Sequence, residues 1–205
     1  MYRHRHLKFK IKYHNLNGIL GGGNNKINTE FAETLANFMK DNLIGSNDYA
    51  IISGYCVGRI TGRKATDLDV IVNKEAFNKL KLNKNIQIKL SEISKTESLK
   101  LNTDFGEIEF FEREDKGFPS DTYSLDNLKK NKMLDIDEHG NSYLNEASTI
   151  QIYSDVKKVD GKLYLGDHKI NIDRLKKNIS HLELINNYIK SDDIIKKIEE
   201  LKKLI

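Results

Sequence analysis

The chain has 205 residues, 38% hydrophobic and 31% charged, with a formal net charge of +4. That length suits one compact domain of about 150 to 180 residues plus a tail. The composition is that of a soluble globular protein without an apolar run long enough to cross a bilayer, and a single cysteine, Cys56, excludes an internal disulfide and suits a reducing, cytoplasmic compartment.

The first seventeen residues carry Arg3, His4, Arg5, His6, Lys8, Lys10, Lys12 and His14, interleaved with Leu7, Phe9, Ile11 and Tyr13. No uninterrupted apolar stretch is present, so the segment does not read as a secretory signal. His4 and His6 are too few to make a metal site. Gly18, Gly21, Gly22, Gly23, Asn24 and Asn25 follow and read as a flexible hinge. A basic arm and hinge over residues 1–27 are therefore expected ahead of a core over 28–118. From Asn28 the pattern turns helical, with Phe31, Leu35, Phe38 and Met39 on one face and Asn28 or Thr29 as the cap.

The apolar run Tyr49, Ala50, Ile51, Ile52 reads as a strand that stops at Ser53 and Gly54. Glycine there lets backbone approach a ligand closely, and the start of a following helix offers free N–H groups to an anion, phosphate above all. A second strand carries Asp67 and Asp69 among Leu68, Val70, Ile71 and Val72. Residues two apart on a strand share a face, so both carboxylates point the same way, and their mutual repulsion calls for a cation between them. Arg59, Arg63, Lys64 and Thr66 lie between the turn and the Asp pair and supply donors for phosphate.

Lys74 to Leu82 reads as a helix, and Ile86 to Leu90 and Glu107 to Phe111 as further strands of a mixed α/β sheet flanked by helices. Beyond Pro119 a C-terminal region over 119–205 contains a short helix from Ser124 to Asn131 and a hairpin turn at Val159, Asp160, Gly161, Lys162. Leu175, Ile179, Leu182, Ile185 and Ile189 recur at helical spacing. Ser191 then caps a last helix with Ile194, Ile195, Ile198 and Leu201. Such stripes serve as core or as a dimer contact. Asp135, Asp137, Gly140 and Glu146 fall at calcium-loop spacing, but His139 and Ser142 break that pattern, and a hairpin turn through Glu138 to Asn141 is the preferred reading.

The residues Ile51 Ile52 Ser53 Gly54 Tyr55 Cys56 Val57, then Gly62 Arg63 Lys64 Ala65 Thr66 Asp67 Leu68 Asp69 Val70, resemble the nucleotidyltransferase superfamily of DNA polymerase β-like fold. Within it they are similar to the small GGYA-type and abortive-infection-type domains, with Cys56 in place of a common alanine. The resemblance implies a third carboxylate on a neighbouring strand, best matched by Glu109 between Ile108 and Phe110, with Glu107 in reserve on the same face. Most members have Asp at that place.

The resemblance further implies Mg²⁺ (or Mn²⁺), an NTP such as ATP, and transfer of a nucleoside monophosphate to RNA, protein or a small molecule. Asp67, Asp69 and Glu109 would be the catalytic metal ligands; the all-oxygen set suits a hard cation. Ser53, Gly54, Arg59, Arg63, Lys64 and Thr66 would hold the nucleotide.

The N-terminal residues His6 Leu7 Lys8 Phe9 Lys10 Ile11 Lys12 Tyr13 His14 Asn15 Leu16, with Gly21 Gly22 Gly23, resemble a segment recurring on proteins of amoeba-infecting giant viruses. That likeness implies a host-cytoplasmic or virion-packaged protein. The arm's charge fits nucleic acid as a partner; no membrane is expected, and the C-terminal helices offer an oligomer contact. A non-catalytic virion or nucleotide-binding protein with the same fold, and a toxin-like transferase acting on host tRNA or protein, are the alternatives.

Overall fold

β-branched and aromatic residues at period two build the centre of this molecule, described here by a computed structural model covering residues 22–52, 54–90, 97–112, 124–166 and 168–205. In chain order the first half runs α1 (Gly22–Asp41), β1 (Tyr49–Ile52), α2 (Gly54–Thr61), β2 (Asp67–Val72), α3 (Lys74–Lys81), β3 (Gln87–Leu90), β4 (Glu97–Thr103) and β5 (Gly106–Glu112). The second half runs α4 (Leu125–Lys130), β6 (Leu134–Ile136), β7 (Ser142–Leu144), α5 (Glu146–Ser154), β8 (Val156–Val159), β9 (Lys162–Leu165), β10 (His168–Ile170), α6 (Ile172–Ile189) and α7 (Asp192–Lys202). The expected mixed α/β class is thus observed. Seven strands form one sheet in the order β3-β4-β5-β2-β1-β7-β6, and three form a second in the order β10-β9-β8.

Within the large sheet β2 pairs with β5, and β1 with β7, in parallel; the other pairings are antiparallel. The period of two sorts the side chains. Leu68, Val70 and Val72 align with Ile108 and Phe110, and these with Leu99 and Leu101, all buried on one face. Helix α1 lies against that face, with Phe38 stacked on Phe110 at 6.0 Å between ring centroids. Burying side chains of this size contributes about 2 kcal/mol each, so a one-residue slip of β2 or β5 would exchange this layer for carboxylates.

Three local expectations change. The helix begins at Gly22, so the glycine-rich stretch read as a hinge is partly helical, and the boundary drawn at residue 27 falls inside α1. Asn28 is accordingly no cap; its amide donates to the Arg63 carbonyl at 2.9 Å and accepts from the Ala65 N–H at 2.8 Å. Ser191 does stand at the N-cap of α7, but its side chain makes no capping hydrogen bond. The basic arm, with His4 and His6, and Pro119 lie outside the described residues.

The C-terminal stripes are core apart from Ile195, which is exposed. Leu175, Ile179, Leu182 and Ile185 of α6 meet Ile194, Ile198 and Leu201 of α7, together with Tyr153 and Leu163. The Asp160–Gly161 turn has positive φ at both residues, 47° and 74°, as a two-residue hairpin between right-twisted strands requires. The calcium-loop pattern resolves into the β6–β7 hairpin. Buried Asp137 there accepts from the backbone N–H groups of His139 and Asn141 at 2.9 and 2.8 Å, and Glu146 has moved on to open α5. The sheet also draws β6 and β7 from beyond residue 118, the boundary expected for the core.

Gly106 joins the sheet to the loop ahead of Asp67. Its φ is 145°, and a Cβ there would lie 2.3 Å from the Thr66 carbonyl oxygen. Gly106→Ala must displace Thr66 or the start of β5, with an expected loss of roughly 3 kcal/mol. Urea unfolding measures it; a loss below about 1 kcal/mol would mean that β5 yields locally without strain.

Candidate active site

The site begins where β1 gives way to α2. Gly54 opens the helix, and a Cβ on it would lie 3.8 Å from Asp67 Oδ1, so the first turn of α2 stands beside the first carboxylate of β2. The N-terminal N–H groups of a helix have no partners within it and favour an anion. Ser53, expected to share this turn, lies outside the described residues. After α2 the chain passes through Gly62, in the left-handed region at φ 70°, and returns along Arg63, Lys64, Ala65 and Thr66. Asn28 pins that return from α1. Arg63, Lys64 and Thr66 are exposed, and the Thr66 hydroxyl donates to Asp67 Oδ1 at 3.2 Å.

The parallel register sets Asp67 opposite Glu107 and Asp69 opposite Glu109, with β4 placing Lys100 opposite Glu109 and Asn102 opposite Glu107. Paired residues share a face, so Asp67, Asp69, Glu107 and Glu109 stand together on the side away from α1, on strands about 4.8 Å apart. Lys100 reaches into this group. Its ammonium bonds Glu107 and lies 3.9 Å from Glu109 Oε2, while the Ser98 hydroxyl donates to Glu109 Oε1 at 2.7 Å. Burial alone would lower the Lys100 pKa, but the bond to Glu107 and the charges of Glu109 and Glu107 outweigh it and raise the pKa.

Glu109 therefore sits beside Asp69 in register, with both of its oxygens facing partners from β4. Among the described residues no group of three or more His, Cys, Asp and Glu side chains is gathered to hold a metal ion. The Asp67–Asp69 pair by itself fits the way Mg²⁺ is usually held, through one or two carboxylates with waters and substrate phosphates completing the shell.

Arg59 is placed differently from the expectation. It projects from α2 towards the β6–β7 turn, where it pairs with Glu138 at 3.0 Å, lies 4.7 Å from the centroid of the Tyr143 ring and donates to the Tyr55 hydroxyl at 3.4 Å. Its guanidinium is engaged by protein groups. Cys56 is fully enclosed, its thiol donating to the Ile51 carbonyl at 3.4 Å; burial pushes its pKa up to about 12, as packing rather than reactivity requires.

Two residues were missed by sequence reasoning. Lys100 had a faint signal, since Leu99 and Leu101 alternate with Ser98, Lys100 and Asn102, but only the register brings it to Glu109. His181 had none, because it lies on the apolar face of α6. That helix packs on α2, and His181 meets the Tyr153 ring edge-on at 4.7 Å. Its Nδ1 finds no hydrogen-bond partner among the described residues.

No protein-family model, no curated protein and no solved structure matches the chain.

Burial, then the positive charges of Lys177, Arg63 and Arg174, lower the His181 pKa to about 4 from its ordinary 6.5, with Asp67 opposing. An unfolded chain binds the proton first, so His181 costs nothing above pH 6.5 and removes stability as the pH falls from 6.5 towards 4. Between pH 7.5 and 4.5 the protein is expected to lose about 2 kcal/mol more than His181→Gln does, by urea unfolding at both pH values. Equal losses would show that the imidazole titrates normally.

Proposed function

We propose that this protein is a Mg²⁺-dependent nucleotidyltransferase that moves a nucleoside monophosphate from an NTP to an RNA, protein or small-molecule acceptor. The observation that supports it is the placement of Asp67 and Asp69, beside the N-terminus of α2 and in parallel register with Glu107 and Glu109. Carboxylates for a cation and N–H groups for phosphates then lie side by side.

In this reading Asp67 and Asp69 would hold Mg²⁺, and the ion would supply charge compensation for the triphosphate. Thr66 orients Asp67 through its hydroxyl. The first turn of α2 with Gly54, and Arg63 and Lys64, bind the β- and γ-phosphates. Glu109, steadied by Ser98 and Lys100, takes the proton of the acceptor hydroxyl as its oxygen attacks the α-phosphorus; the bond to the β-phosphate oxygen breaks and pyrophosphate leaves. The single cysteine fits work in a reducing cytoplasm, that of a host cell if the protein is viral.

One observation favours a second reading, a nucleotide-binding protein without catalysis. Glu109 accepts from the Ser98 hydroxyl at 2.7 Å and has the Lys100 ammonium 3.9 Å away, so its charge is partly balanced by protein groups. Incubation with each α-labelled NTP, Mg²⁺ or Mn²⁺, and a pool of RNA and cell protein separates the two. Label transfer by the intact protein, falling to background in Asp67→Asn/Asp69→Asn, is expected. No transfer with either metal, together with a nucleotide-induced thermal shift, would establish the non-catalytic reading; no transfer and no shift would remove both.

A further inference from the structure

Strand β3 stands at one rim of the large sheet. Among the described residues its one neighbour in the sheet is β4, and its four residues, Gln87, Ile88, Lys89 and Leu90, are all exposed. Ile88 and Leu90 are large apolar side chains left 57% and 56% exposed. The register sets Ile88 opposite buried Leu99 and Leu90 opposite Glu97, so both belong to the face that α1 covers further in. Gln87 and Lys89, opposite Lys100 and Ser98, belong to the carboxylate face. Lys81, the last residue of α3, pairs with Glu97 and brings the end of that helix, with Leu82 87% exposed, to the same rim.

A half-uncovered apolar strand at the rim of a sheet is a template for another strand. The order of residues in β3 decides which strand fits. When two copies pair antiparallel about a two-fold axis normal to the sheet, one residue must stand opposite its own copy, because residues opposite each other share a face. Centring on Lys89 sets two ammonium groups against each other. Centring on Gln87 sets Leu90 against Lys84, and centring on Leu90 carries the pairing past the end of β3. Centring on Ile88 matches every pair. Ile88 meets Ile88 and Ile86 meets Leu90 on one face, while Gln87 meets Lys89 on the other, an amide oxygen accepting from an ammonium.

We infer that β3 is the contact of a homodimer, pairing antiparallel with β3 of a second copy, with Ile88 at the two-fold axis. The two seven-stranded sheets then run on as one. Because the axis is normal to the sheet, both carboxylate faces look the same way. A contact of one short strand is small, so the dimer exchanges with monomer in the micromolar range. The contact stands independently of nucleotidyl transfer.

The test is sedimentation velocity of the full chain from about 5 to 200 µM. A reversible equilibrium between monomer and dimer is expected. Ile88→Lys, which sets like charges face to face at the axis, should weaken it about tenfold or more, and thermal melting checks that the variant stays folded. Ile88→Cys should form an interchain disulfide on oxidation with copper phenanthroline, whereas Lys89→Cys, opposite Gln87 of the other copy, should not; the native Cys56 thiol is buried and does not compete. Equal cross-linking of the two variants would overturn the register. A chain that stays monomeric throughout would overturn the dimer. Loss of the dimer in Ile195→Lys, or on removing residues 1–17, with Ile88→Lys without effect, would assign the contact to α7 or to the basic arm and overturn the proposal. Species beyond the dimer would mean that β3 pairs with β6 at the opposite rim of the next copy, a contact that does not close, and would overturn it too.

Discussion

Four carboxylates on one face of two hydrogen-bonded strands repel one another, and Lys100 supplies the charge that lets Glu107 and Glu109 stand there together. Much else follows from that arrangement. The ammonium comes from β4, so β4 must pair with β5 in a register that sets Lys100 opposite Glu109. The opposite face is fixed at the same time, because Leu99, Ile108, Phe110, Leu68 and Val70 can all be buried under α1 only when the carboxylates point away from it. Apolar burial supplies the energy, and the charged face excludes the alternative registers.

The same arrangement shapes what chemistry is available. Asp67 stands beside the first turn of α2, whereas Glu109 accepts from the Ser98 hydroxyl and has the Lys100 ammonium 3.9 Å away. Carboxylates on one sheet thereby acquire separate environments, one beside the helix α2 N-terminus and one beside an amine. Helix α6 closes the neighbourhood from the C-terminal half, bringing His181 within electrostatic reach of Arg63 and Asp67.

Strand alternation made the central features legible. Asp-x-Asp inside an apolar run predicted both the strand and the shared face, and Glu107 and Glu109 were placed likewise. Helices with clean apolar stripes, α6 and α7, were legible for the same reason. What failed depends on contacts far apart in sequence. Strand β4 has only Leu99 and Leu101 as its buried alternation, and its role rests on partners in β3 and β5. Arg59 looked available for phosphate because Glu138, 79 residues later, is invisible to local pattern. Asn28 looked like a cap because side chains that cap helices bond loops equally well, and here the loop is Arg63 to Ala65. Local propensity read Gly22 and Gly23 as breakers, while α1 starts at Gly22 and includes both.

Among the described residues, the β6–β7 hairpin is attached to the rest of the sheet by one register pair, Ile51 with Tyr143. A clasp of side chains does the remaining work. Tyr49 donates to Asn141 Oδ1 at 2.7 Å, the Asn141 amide donates to the Ala32 carbonyl at 3.0 Å and to Asp137 at 2.9 Å, and Ser142 donates to the Ser46 carbonyl at 2.6 Å. Buried bonds of this kind add little net energy when made and cost much when mismatched, so they act as a gauge of correct docking. Tyr49 and Asn141 are 92 residues apart, so the clasp closes a large loop whose entropy must be overcome before any bond forms. Without the seated hairpin Arg59 has neither Glu138 nor Tyr143 to hold it, so the position of this cation on α2 depends on the far edge of the sheet.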